Sequence, residues 1–262
     1  MIQYPIKLFS VQHLMFLAVV VPAAIFIACL MARKLGFNKN VFWVCAGISL
    51  LCEFQRILFF IEGSAADGFR LPGHQVPLNA CPFLVVLIVI LALSKKPEEH
   101  RKLLAYMYPM MVFGGFLGVL LAGEALSYHG LSDLATYRYF FYHMMVISLG
   151  LYLYLSKPFE YNLKDYGMSL FLNFCSIIMG IWVNGFFGWE PRANHMFVVR
   201  PPAKNLPILN LDNGWGRYIF NFLCVGVVLI TLAYLPVIIR AIREKLVKTS
   251  ANSPTQRRLA SP

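Results

Sequence analysis

Charge is what this chain has least of. Only 13% of its residues are Asp, Glu, Lys or Arg, against 59% hydrophobic, and the mean hydropathy is +0.65. A water-soluble domain is about a quarter charged, so a solvated globular surface is excluded. Period-2 alternation is missing as well, which removes a membrane β-barrel. No CxxC pair occurs, and the six cysteines all fall in apolar segments. That argues against a disulfide framework and against a zinc site, and leaves most of them as small packing residues. The chain has no low-complexity segment, no short repeat and no inverted repeat.

What remains is a series of apolar stretches of about 20 residues, the length that spans a hydrocarbon layer about 30 Å thick. Seven can be read, at 11–32, 41–61, 76–94, 103–122, 137–155, 168–188 and 215–239. They predict an all-α, polytopic integral membrane protein, a bundle of seven transmembrane helices. Alternate connections are basic and hold 15 of the 23 Lys and Arg residues, while Glu62, Asp67, Glu124, Asp133, Glu190 and Asp212 lie on the other side. The positive-inside rule then puts the N-terminus outside and the C-terminus in the cytosol, in the plasma membrane if the source is bacterial. The formal net charge of +11 reads as this orientation signal rather than as a nucleic-acid surface. Residues 1–242 form the expected membrane domain, and 243–262 a basic, disordered cytosolic tail. The first stretch reads as a span rather than a cleaved leader, because only Lys7 precedes it and Arg33 and Lys34 close it. Gly114, Gly115 and Gly118 suggest a small-residue packing face on the fourth helix. Trp189, Trp215, Tyr128, Tyr137 and Tyr218 suggest an interfacial belt.

Three residues inside the spans can do chemistry. Glu53 is 14 residues from Lys39, Cys81 14 from Lys95 and His143 14 from Lys157, each counted from a basic flank. At about 1.5 Å per helical residue all three share one depth, roughly 20 Å from the cytosolic edge. Ionisable groups at that depth are costly and mark functional sites. Pro82 favours a first helical turn, so the spacing predicts Cys81 as the N-cap of a short helix from Pro82 to Leu93. Residues 74–81 then complete the third crossing as irregular backbone, giving a broken helix. A thiol at a helix N-terminus sees the positive dipole end and unpaired amides. His143 is the expected general base. The i, i+3 spacing of Glu53 and Arg56 allows a structural ion pair, and the functional reading makes Glu53 the orienting partner of His143. Arg56, one turn after Glu53, together with His13, Asn79 and His74, supplies expected contacts to a phosphate or an oxyanion. No metal or organic cofactor is implied.

These residues carry a resemblance. Gln12-His13-Leu14, Glu53, the run His74 to Cys81, Tyr142-His143, and Asn213-Gly214-Trp215 with Tyr218 follow one another as in the bacterial YwaF family of integral membrane proteins, related to animal transmembrane protein 164. The likeness runs through nearly all of residues 9–236. It implies a cysteine-dependent phospholipid acyltransferase whose cysteine carries the acyl chain as a thioester, with the family cysteine on Cys81 and the partnering histidine on His143. Here Pro82 follows the cysteine, whereas in the animal pattern the proline precedes it.

The expected function is therefore a membrane-embedded acyltransferase or transacylase. It would move a fatty acyl chain from a phospholipid to a lyso-lipid or lipidated acceptor; hydrolysis by the same pair is its close variant. The alternative is a transporter or receptor with a polar midplane site around Glu53, since interrupted helices also mark transporters. A second interrupted segment, which that reading favours, is missing from the other half of the chain.

Overall fold

The computed structural model of the protein describes residues 6–64, 68–73, 76–122, 130–131, 133–186, 193–203 and 206–251. Helix α1 (Val11–Leu35) starts where the Ser10 side chain accepts the amide of His13, and stops at Gly36, whose φ of 56° a residue without Cβ adopts without strain. Helix α2 (Lys39–Phe60) is capped by Asn38 and followed by a small antiparallel hairpin of β1 (Glu62–Ser64) and β2 (Gly68–Arg70). Helix α3 (Ala80–Leu93) has 14 residues. Helix α4 (Arg101–Leu120) carries a π turn over Met110–Gly114, directly after Pro109. Proline cannot donate to the preceding turn, and the wider turn absorbs that break without ending the helix. Helices α5 (Leu134–Leu155), α6 (Leu163–Phe186) and α7 (Trp215–Ala251) complete the bundle.

Among the described residues, α1, α2, α4, α6 and α7 are long and apolar enough to cross a membrane. All but α4 expose large side chains along their length, among them Phe26, Val44, Leu51, Trp182 and Phe220. So much apolar surface suits lipid and not water. Helix α5 differs. It contains five tyrosines, Arg138 and His143, and it packs on α1, α2 and α4, with Phe140, Val146, Leu149, Tyr152 and Leu153 buried. A helix enclosed by its neighbours need not be apolar all round, so polar chemistry is concentrated where lipid does not reach.

At the basic end the bundle is tied by groups that satisfy buried polar atoms. Arg101 holds Asp165 through two nitrogens at 2.7 and 2.8 Å and lies over the Phe159 ring. The Tyr108 hydroxyl donates to Ala233 O and that of Tyr234 to Ala105 O. The two tyrosine bonds are buried and cross between helices.

Two expectations are corrected. Helix α3 begins at Ala80 with Asn79 as its N-cap, so Cys81 is the second residue of the helix and not its cap. The proline constraint on the preceding residue is a bias, and the first turn overrides it here. Helix α7 runs on to Ala251, well into the segment expected to be disordered. Arg243 to Lys248 are mostly good helix formers without Gly or Pro, so the chain keeps its turn after it ceases to be apolar. The expected residues His74, Tyr128 and Trp189 lie outside the described residues.

Candidate active site

The interruption before α3 brings a thiol to the middle of the bundle. Residues 76–79 are non-helical, and Asn79 has extended φ and ψ of −75° and 164°. Its side chain makes no capping bond but accepts the amide of Met196 at 3.2 Å, tying the segment before α3 to the connection between α6 and α7. Cys81 follows in the first turn. The amides of Ala80 and Cys81 belong to a turn that has no intrahelical acceptors for them, and Pro82 has none to offer.

Helix α5 supplies the partner. His143 Nε2 lies 3.4 Å from Cys81 Sγ, and the imidazole is 4% exposed. Its Nδ1 is 2.8 Å from the carbonyl of Tyr139, one turn earlier. A carbonyl can only accept, so Nδ1 carries the proton and Nε2 turns a lone pair towards the sulfur. The ring is held on its other sides too. Tyr139 lies 4.2 Å away between centroids, and Tyr142 stands edge-on at 5.4 Å. The Tyr139 hydroxyl donates to Gly118 O and that of Tyr142 to Cys81 O, both at 2.6 Å. On α4, a Cβ at Gly118 would fall 2.4 Å from the imidazole Cδ2 and 2.5 Å from Nε2. The glycine read from sequence as a packing residue is the floor of the histidine pocket.

Glu53 does not orient His143. Arg56 meets both its carboxylate oxygens, Nε at 3.0 Å to each and Nη2 at 2.5 Å to Oε1. The i, i+3 spacing on one helix face makes that ion pair the nearest outlet for either charge, and the backbone carbonyl of Tyr139 already occupies the histidine. Glu53 remains near enough to act electrostatically on Cys81, Cys52 and Tyr142.

His13 is likewise taken. It is fully buried; its Nδ1 accepts the amide of Phe9 at 3.0 Å and its Nε2 donates to Val119 O at 2.8 Å. It clasps α1 to α4 and offers nothing to a substrate.

Arg138 was not among the residues singled out from sequence. It comes from the first turns of α5 and donates through Nη1 to Cys52 O at 3.2 Å, beside Glu53 and Arg56. It lies just inside the predicted boundary at residue 137. A guanidinium inside an apolar span was the available signal. Tyr139, one turn before His143, was legible by its spacing.

All six cysteines are free. Among the described residues no three His, Cys, Asp or Glu side chains converge as a metal site. The sequence model of the TMEM164 family matches residues 8–234. Searches of curated proteins and of solved structures returned no match.

Proposed function

The chain belongs to the TMEM164 family, and from that membership and the thiol–imidazole geometry we propose that it is a membrane-embedded lipid acyltransferase working through an acyl-thioester on Cys81. Seven helices cross the bilayer, α3 completing its passage through residues 76–79, with the basic loops in the cytosol and the site in the outer half. The observation that carries the reading is Nε2 facing Sγ at 3.4 Å while Nδ1 meets the Tyr139 carbonyl.

The reaction proceeds in two displacements. His143 Nε2 takes the Sγ proton as sulfur attacks the ester carbonyl of a phospholipid. The carbonyl oxygen's developing charge faces the amides of the first turn of α3. The C–O ester bond breaks, and the departing glycerol oxygen takes the proton from Nε2, leaving a lyso-lipid and an acylated Cys81. An acceptor hydroxyl then gives its proton to Nε2 and attacks the thioester. The C–S bond breaks and the proton returns to sulfur. Scarcity of water at this depth lets the thioester last until an acceptor arrives. The tight Glu53–Arg56 pair disfavours the transporter alternative, because a proton carrier must be able to lose its counter-charge.

Incubation of purified protein with phospholipid, followed by intact-protein and peptide mass spectrometry, tests the proposal. One acyl adduct is expected on Cys81, absent in Cys81→Ala, with transfer slowed about 10²- to 10⁴-fold in His143→Ala. Turnover that survives Cys81→Ala would remove the reading.

A further inference from the structure

Beside the Cys81–His143 pair lies a small cluster of charges that acyl transfer does not use. Glu53 and Arg56 neutralise each other across 2.5 to 3.0 Å, with side chains only 15% and 16% exposed. Arg138 is the third member and brings a second positive charge. Nη1 donates to the carbonyl of Cys52, a neutral partner, while Nε is buried and has no hydrogen-bond partner among the described residues. The carboxylates of Glu53 and Asp133 act on Arg138 through space, as does the like charge of Arg56. Glu53 is already engaged by Arg56, and Asp133 caps α5 by accepting the amide of Ala135. A half-buried guanidinium whose buried Nε has no partner among the described residues is costly unless something anionic completes it.

Position says what that anion is attached to. Arg138 stands five residues before His143 on the same helix, so it lies about 7.5 Å closer to the end of the bundle away from the basic loops. A glycerophospholipid has its acyl ester and its phosphodiester on adjacent parts of one glycerol, a few bonds apart and with the phosphate nearer the membrane surface. We propose that Arg138 binds the phosphodiester of the lipid whose ester carbonyl faces Cys81. The guanidinium fork meets two phosphate oxygens with Nε and Nη2 while Nη1 stays on Cys52 O. Arg56, locked by Glu53, is a wall of this subsite. The direction of the bound lipid rests on the acyl-transfer reading; the binding of the phosphate does not.

Non-reactive lipids separate the two. Protein in neutral detergent is exposed to a diether phospholipid and to the matching diether glycerol, neither of which has an ester to cleave, and retained lipid is measured by native mass spectrometry. Wild-type protein is expected to retain the phospholipid preferentially, and Arg138→Gln to lower that retention about ten- to a hundred-fold, as for a lost charge-assisted bond. Arg138→Lys recovers part of it, and the diether glycerol shows no difference. In a second arm, acylation of Cys81 in the wild type by a phosphate-free thioester donor reports on the acyl-transfer reading alone. Equal retention of the two lipids by wild type overturns the proposal even if Arg138→Gln fails to fold. So does equal phospholipid retention with and without the arginine, or release of bound lipid by inorganic phosphate at low concentration, which marks a site for the free anion. Loss of Cys81 acylation in wild type would strike the acyl-transfer reading and leave the binding result standing.

Discussion

The chemistry of this protein turns on which atom of each buried side chain is already spoken for. The two histidines expected at the site separate on that ground. Both ring nitrogens of His13 meet backbone, at Phe9 and Val119, whereas His143 leaves Nε2 for the thiol. His13→Ala is therefore expected to strand a buried carbonyl and lower stability by about 2 to 4 kcal/mol, with turnover per folded molecule unchanged. Thermal unfolding and rates normalised to folded protein check this. Gly118→Ala should do the reverse. The new methyl group meets the imidazole within 2.5 Å and must displace it, so Cys81 acylation falls about ten-fold or more for a modest loss of stability. An unfolding midpoint that drops sharply with an unaltered acylation rate would make Gly118 a packing residue only.

At the scale of the element, the broken third segment does the positioning. Asn79 was expected to help an oxyanion; its oxygen instead holds Met196, fixing where α3 begins. Asn79→Ala is expected to cost about 1 kcal/mol and to slow acylation less than Gly118→Ala, since the sulfur is then held by Tyr142 and the rest of α3. Parallel unfolding and acylation measurements on the two variants give the comparison. These elements also show what could be read from the chain and what could not. Apart from the end of α7, hydropathy placed the helix ends to within about five residues, because lipid imposes apolar runs, and Pro82 marked the first turn of α3. Cys81 and His143 were legible as a pair because two basic flanks count the same depth to each. The orienting group was not. Glu53 has the right depth and chemistry, but a local arginine claims it, and the carbonyl that serves His143 belongs to every residue type and leaves no mark. Gly118 was seen, yet its neighbour across the helix interface depends on the rotation of α4, which a run of small residues does not specify. Helix α7 outran its apolar stretch because hydropathy reports lipid contact, not helix length.

At the scale of the whole molecule, α5 is enclosed by α1, α2 and α4, and the most polar of these helices is thereby the most sheltered. The positive-inside reading has a direct consequence: a cysteine placed at Glu62, in β1, should react with a membrane-impermeant maleimide in intact cells or right-side-out vesicles, and one at Lys245 only in inverted vesicles. The opposite pattern would turn the protein over and put the site in the cytosolic leaflet.

The imidazole of His143 rests on the bare backbone of a neighbouring helix, with no side chain between them. The place of the ring is consequently set by how closely α4 and α5 lie side by side, and not by a flexible linker. On the acyl-transfer reading proposed above, lipid that squeezes or spreads those two rods by a fraction of an ångström shifts the imidazole with them, and membrane composition is then expected to act as a mechanical input.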